Sequence, residues 1–129
     1  MFHRVFTLEE ASEFIVDCLH KTAPIQEDGY PLIRTPNIGR GRFELEGVYR
    51  VSEEVYDEWT RRAIPQENDI ILAREAPAGN VAIIKEGQRF CLGQRTVLIR
   101  PDVRIVDPDF LTYFLLAPQQ QALLLSSST

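Results

Sequence analysis

Apolar residues at Leu8, Ala11, Phe14, Ile15, Cys18 and Leu19 recur at helical spacing. Thr7 and Glu10 stand ahead of them as a T-x-x-E capping box, a pair that satisfies the open N–H groups of a first helical turn. Together they predict an amphipathic helix ending near Lys21. After the Asp28–Gly29 turn signal the pattern shortens to β-forming runs. Tyr30–Arg34 and Val48–Val51 read as strands, and Gly39, Gly41 and Gly47 bracket a hairpin-like stretch around Phe43 and Leu45. Ser52 caps a short helix in which Val55, Tyr56 and Trp59 share a face, ending near Arg62.

Further along, Ile70–Ala73, Val81–Ile84, Arg89–Leu92 and Thr96–Arg100 are β-rich runs separated by Gly or Pro turns. Asp107 is an N-cap with Pro108 at the first helical position, and Phe110, Leu111, Phe114 and Leu115 form the stripe expected to be buried. Pro118 breaks that helix, Gln119–Leu125 restarts it, and the closing SSST is polar and frayed. The expected fold is α+β: an irregular, mostly antiparallel β core with flanking N-terminal and C-terminal helices, one domain over residues 1–129.

A chain of 129 residues with 44% hydrophobic and 26% charged residues fits one soluble globular domain. No apolar run approaches the roughly 20 residues that span a bilayer. The start, MFHRVFTLEEAS, lacks the basic region, apolar core and cleavage site of a signal peptide. The two cysteines, Cys18 and Cys91, are too few for a disulfide framework, so the expected compartment is the reducing cytoplasm.

Net charge is −5, which opposes simple electrostatic attachment to a polyanion. Its distribution changes the picture. Residues 1–29 hold two basic and six acidic side chains, whereas residues 30–100 hold eleven basic and ten acidic. Twelve of the fourteen basic residues are Arg, whose planar fork suits paired acceptors better than Lys does.

Nearly all of that arginine lies in the segment 30–100, which carries three blocks: GYPLIRTPNIGRG (Gly29–Gly41), ENDIILAREAPAGNVAII (Glu67–Ile84) and CLGQRTVLIRP (Cys91–Pro101). Arg, Asn, Gln and Thr are the side chains that read base edges, and glycine lets backbone come close to a ligand. In the first block Pro36 holds Thr35 extended, and Arg40 and Arg42 sit beside glycines, suited to phosphate. An exposed hairpin with solubilising arginines is the plain alternative. In the second, Asn68 is the non-glycine residue type most tolerant of a left-handed conformation, and Asp69 makes turn hydrogen bonds. Glu75 and Arg74 form either a simple salt bridge or a pair in which Glu75 fixes the Arg74 rotamer for DNA. In the third, Gln94, Arg95 and Thr96 match adenine, guanine and the thymine methyl. The alternative is a β-bulge at Gly93 that turns Gln94 and Arg95 inward.

In order and spacing these blocks, with GYPLIRTPNI, ENDIILAREAPAG, CLGQR and the closing DPDFLTYFLLAP helix, resemble the target-recognition domain of a type I restriction–modification specificity subunit. The resemblance covers about Leu8 to Ser128. The family usually shows Gly-Asp where this chain has Asn68-Asp69. The resemblance implies a non-catalytic DNA-reading domain without cofactors. It implies double-stranded DNA, a methyltransferase subunit and a restriction subunit as partners, with self-association as a further option and no membrane. In that family two such domains, separated by helical spacers, each read half of a bipartite site; here the spacers and the second domain are absent. Carried over residue by residue, it points to Arg34, Thr35, Asn37, Arg40, Arg42, Arg74, Asn80, Gln94 and Arg95 as the DNA-facing set. Arg61 and Arg62 are expected to assist on phosphate.

Enzymatic chemistry finds little in the residues. Asp17 and His20 share a face of the expected first helix but lack a third metal ligand. Cys91 falls in an apolar strand with no local histidine, as a core thiol does. Asp69, Glu75 and Lys85 contain no Glu-x-Lys triplet, and there is no phosphate-binding GKS or GKT loop. A protein-interaction module is the rival reading, drawn from the net acidity and the apolar tail Ala122–Leu125. In it the chain docks on methyltransferase or specificity subunits with little DNA contact of its own.

Overall fold

The computed structural model describes residues 7–75 and 79–118. Along the chain run β1 (Ser12–Asp17), β2 (Tyr30–Ile33), a 3₁₀ turn (Thr35–Asn37), β3 (Tyr49–Val51), α1 (Glu53–Trp59), β4 (Ile70–Ala73), β5 (Val81–Ile83), β6 (Cys91–Leu92), β7 (Thr96–Pro101) and α2 (Pro108–Leu116). They form a four-stranded sheet in the order β1-β7-β4-β5 and a three-stranded sheet in the order β3-β2-β6. Every pair is antiparallel except β2 with β6. The α+β fold with a mostly antiparallel core is therefore present.

Period-two alternation sorts the apolar side chains into layers. Ile70, Val81, Ile83, Val97 and Ile99 point to one face of the four-stranded sheet, where Leu111 and Leu115 of α2 cover them. Their neighbours Ile71, Ala82 and Leu98 point to the other face and meet Ile33 and Leu92 of the three-stranded sheet, with Ile38, Ile84 and Phe90. Leu32 and Cys91 face away from that seam and pack with Val51, Tyr56 and Trp59 under α1. The order is helix, sheet, sheet, helix. Each fully buried aliphatic side chain contributes about 1.5–3 kcal/mol, and Ile33, Ile70, Ile71, Ile84 and Ile99 are all inaccessible.

The expected N-terminal helix is not formed. Its capping box is: the Thr7 N–H donates to Glu10 Oε1 at 3.0 Å, and the Glu10 N–H to Thr7 Oγ at 3.1 Å. That turn closes with the Ala11 N–H on the Thr7 carbonyl at 3.0 Å, and the chain then enters β1. Phe14 and Val16 turn inward while Glu13, Ile15 and Asp17 face out, so the run alternates as a strand and covers the outer edge of β7. Asp17 and His20 consequently share no helix face.

Both other helices start where expected. Ser52 Oγ accepts from the Val55 N–H at 3.2 Å, and Asp107 accepts from the Asp109 and Phe110 N–H groups. α2 buries half of the expected stripe, Leu111 and Leu115, and adds Thr112. These side chains face the sheet, whereas Phe110 (62% exposed), Tyr113 (77%) and Phe114 (46%) do not. Thr112 can be buried because its hydroxyl is satisfied on the Pro108 carbonyl, at 2.9 Å.

Thr35 was expected extended before Pro36, but it opens the 3₁₀ turn, and Arg34 is the last extended residue. The Asn37 carboxamide overrides the local preference by accepting the Arg34 N–H at 2.9 Å. Asn68 does adopt a left-handed conformation, φ 73°, at the entry to β4. The expected restart at Gln119–Leu125, the tail Ala122–Leu125 and the turn residues Ala76, Pro77 and Ala78 lie outside the described residues. Among the described residues no helix is long and apolar enough to cross a membrane.

Candidate nucleic-acid interface

β2 lies in the middle of the three-stranded sheet and runs parallel to β6, with Leu32 beside Cys91 and Ile33 beside Leu92. Parallel strands run out at the same end, so the residues that follow them emerge together. Arg34, Thr35 and Pro36 leave β2 beside Gly93, Gln94 and Arg95 leaving β6, and with Thr22, Ala23 and Leu32 they line a groove of about 320 Å³. Four members of the sequence-derived set, Arg34, Thr35, Gln94 and Arg95, are thereby brought into one site.

Each is held differently. Gln94 Nε2 donates to Thr22 Oγ at 2.7 Å. Arg95 has a left-handed backbone, φ 63°, and its guanidinium meets Glu75 Oε2 at 3.0 Å. The Arg34 guanidinium lies over the Tyr49 ring, 4.0 Å from its centre, and its Nε is buried without a hydrogen-bond partner. A buried donor left unmade costs about 1–3 kcal/mol. The bulge expected as an alternative at Gly93 does not occur: Gly93 donates to the Ile33 carbonyl at 2.8 Å, and Gln94 and Arg95 form a turn between β6 and β7, half-buried and exposed respectively. Thr96 cannot meet a thymine methyl, because it is buried with its hydroxyl on the Gly93 carbonyl at 2.8 Å.

The remaining sequence-derived residues lie elsewhere or serve the fold. Asn37 is buried between the Arg34 N–H and the Glu44 carbonyl, at 2.9 and 3.0 Å. Asn80 Nδ2 donates to the Ile38 carbonyl at 3.1 Å and ties the loop after the 3₁₀ turn to β5. Arg40 donates to the Leu116 carbonyl at the C-terminus of α2, at 3.2 Å, where a cation also opposes the helix dipole. Arg42 is exposed, 3.7 Å from Glu44. Arg40 and Arg42 line a second groove with Lys85, Asp109 and Tyr113 that shares no residue with the first.

Arg74 was expected to pair with Glu75. It pairs with Asp17 at 3.0 Å, because β1 lies along β7, and Glu75 is left to Arg95. Arg62 donates to the Asp17 carbonyl at 3.1 Å. Asp69 makes the expected turn bond, accepting from the Gln66 N–H at 2.9 Å, and it also accepts Arg100 Nε and a terminal Arg100 nitrogen at 2.9 and 2.7 Å. That pair is largely buried and structural.

Burial pushes the Cys18 thiol up to about 11 and the Cys91 thiol up to about 12, so both stay protonated near neutrality. Sequence reasoning missed Tyr49, which could have been noticed as the aromatic residue of a short strand, and Thr22, which only tertiary pairing reveals; it named Glu75 but gave it the wrong arginine.

A family model of the type I restriction modification DNA specificity domain matches residues 5–129. The specificity subunit of the type I restriction enzyme EcoBI from Escherichia coli is 28% identical over 102 residues, covering 79% of this chain and 21% of that subunit. The chain thus spans a small part of that relative's length. Two solved structures share the fold. One, described as the structural basis underlying complex assembly and conformational transition of the type I R-M system, contains a chain that matches with TM-score 0.61 at 16% identity, over 88% of this chain and 27% of that one. The other, the HsdS subunit from Thermoanaerobacter tengcongensis, matches with TM-score 0.52 at 14% identity, over 88% of this chain and 35% of that one. On the family match, which takes in both strands that build the groove, the chain belongs to the type I restriction modification DNA specificity domain family.

Proposed function

We propose that this chain reads a short sequence in double-stranded DNA, as a single recognition domain and a non-catalytic component of a type I restriction–modification system in the cytoplasm. The observation that supports it most is the groove at the ends of β2 and β6, where Arg34, Thr35, Gln94 and Arg95 converge from segments far apart in sequence. Arg, Gln and Thr on one surface are the donors and methyl group that distinguish base pairs in a major groove. Arg42, Arg61 and Arg62 supply exposed positive charge for phosphates, which position a protein without specifying sequence. Methyltransferase and restriction subunits are the partners this reading assigns, with the chemistry carried by them.

Selection from a random duplex pool at low and moderate salt tests the proposal. Enrichment of one short motif is the expected result; retention of DNA without enrichment would reduce the function to phosphate contact.

A second reading, a protein-interaction module, draws on the exposed Phe110, Tyr113 and Phe114 of α2 and on the net charge of −5. Absence of DNA retention even at low salt, together with capture of a methyltransferase subunit that Tyr113→Ser weakens, would favour it.

A further inference from the structure

We propose that Arg34 reads a guanine edge from the lining of the groove and that Tyr49, on the neighbouring strand, is the residue that positions it. The inference rests on the DNA-reading function proposed above and assigns its first base contact.

Sheet register places the pair. Leu32 lies opposite Tyr49 across β2 and β3. Arg34 stays extended, φ −112° and ψ 171°, so it falls two residues on, on the same face, and diagonal to Tyr49. The guanidinium carbon settles 4.0 Å from the ring centre. On the other flank stands Gly93. A Cβ there would lie 3.1 Å from the Ile33 carbonyl oxygen and 3.4 Å from Arg34 Cγ, so a glycine lets β6 come close against the arginine stem. Behind, the Arg34 N–H is fixed on the Asn37 carboxamide at 2.9 Å. The side chain is flanked on two sides and its backbone is fixed behind it.

Its charge is not spent inside the protein. Arg95 is paired with Glu75, Arg74 with Asp17, and Gln94 is bonded to Thr22. Among the described residues the contact found for the Arg34 guanidinium is the Tyr49 ring, and its Nε is buried without a hydrogen-bond partner. A half-buried cation that lines a groove with its Nε unpartnered calls for an acceptor from the ligand.

Guanine O6 and N7 offer two acceptors in one plane, the spacing a guanidinium fork matches. A phosphate offers paired oxygens too. Position separates the sources: Arg34 is half-buried in the lining of the groove, whereas the side chain of Arg42, suited to phosphate, is 83% exposed. Stacking on Tyr49 also fixes the plane of the fork before binding, which removes part of the rotamer cost.

The test uses the whole chain and the motif it enriches. Arg34→Lys keeps the charge but loses the fork, and is expected to weaken cognate binding roughly 10- to 100-fold, with discrimination lost at one G·C pair. Replacing that guanine with 7-deazaguanine should weaken the wild type more than it weakens Arg34→Lys, and leave Arg34→Met unchanged. Tyr49→Phe keeps the ring and should bind within about twofold of wild type, while Tyr49→Leu should relax the same base position; circular dichroism and thermal melting establish that each variant folds.

Equal loss on cognate and random duplexes for Arg34→Lys, with sensitivity to a neutral methylphosphonate rather than to 7-deazaguanine, would overturn the base contact in favour of phosphate. A wild-type chain that enriches a motif indifferent to Arg34→Lys sinks this assignment alone. One that enriches no sequence sinks the DNA-reading function with it.

Discussion

Glu75 governs what Arg95 is available to do. The two meet at 3.0 Å with side chains about half exposed, 57% and 48%. An exposed pair of this kind contributes only about 0–1 kcal/mol to stability, so the arginine can exchange its carboxylate for a phosphate or a base at little cost. Glu75→Gln should therefore leave the denaturation midpoint almost unchanged while raising DNA affinity a few-fold at low salt. Fluorescence anisotropy across a salt series measures this, and an unchanged or lower affinity would remove Arg95 from the interface. The contrast is Asp69, buried against Arg100, whose partner is locked into the fold. Residue type alone could not separate these arginines. The sequence marks Arg34, Arg74 and Arg95 alike, and only the positions of Tyr49, Asp17 and Glu75 decide which of them is left without a carboxylate.

At the scale of elements, β1 is the instructive case. Phe14 and Ile15 both fit the apolar stripe of a helix, yet in the strand Phe14 packs inward and Ile15 is 37% exposed. Phe14 also lies under Arg100, 4.6 Å from the guanidinium carbon to the ring centre. Ile15→Thr is thus expected to shift stability by less than about 0.5 kcal/mol, and Phe14→Ala to cost roughly 2–4 kcal/mol. Urea unfolding of both variants decides the matter; comparable losses would mean that the two side chains share a buried face after all. The segment was hard to read because its capping box is genuine and closes one turn before the strand begins. Helical and alternating periods both fit the residues that follow, and β7 settles the ambiguity by offering an edge to be covered. Elements with a local signal were legible: β4, the Ser52 cap of α1 and the Asp107–Pro108 start of α2. The parallel pairing of β2 with β6, which builds the groove, leaves no local signal in either strand.

For the molecule as a whole, the question is how a chain of net charge −5 could hold a polyanion. Much of its positive charge is already offset: Arg42, Arg74, Arg95, Arg100 and Arg104 all lie beside carboxylates. Long-range attraction is therefore weak, and binding has to come from short-range contacts in the groove. This has a measurable signature, because each phosphate neutralised adds about 0.9 to the slope of log K against log salt. With Arg34 on a base edge and about half of the described cations held in ion pairs, the slope should be shallow, about 2–4 in magnitude, and the cognate motif should keep most of its advantage over random duplex as salt rises. Glu75→Gln should steepen it by about one. A wild-type slope well above that range, with the cognate advantage vanishing in salt, would mean that the arginines abandon their carboxylates together on DNA. Specificity would then reside in the shape of the phosphate backbone and not in the lining of the groove.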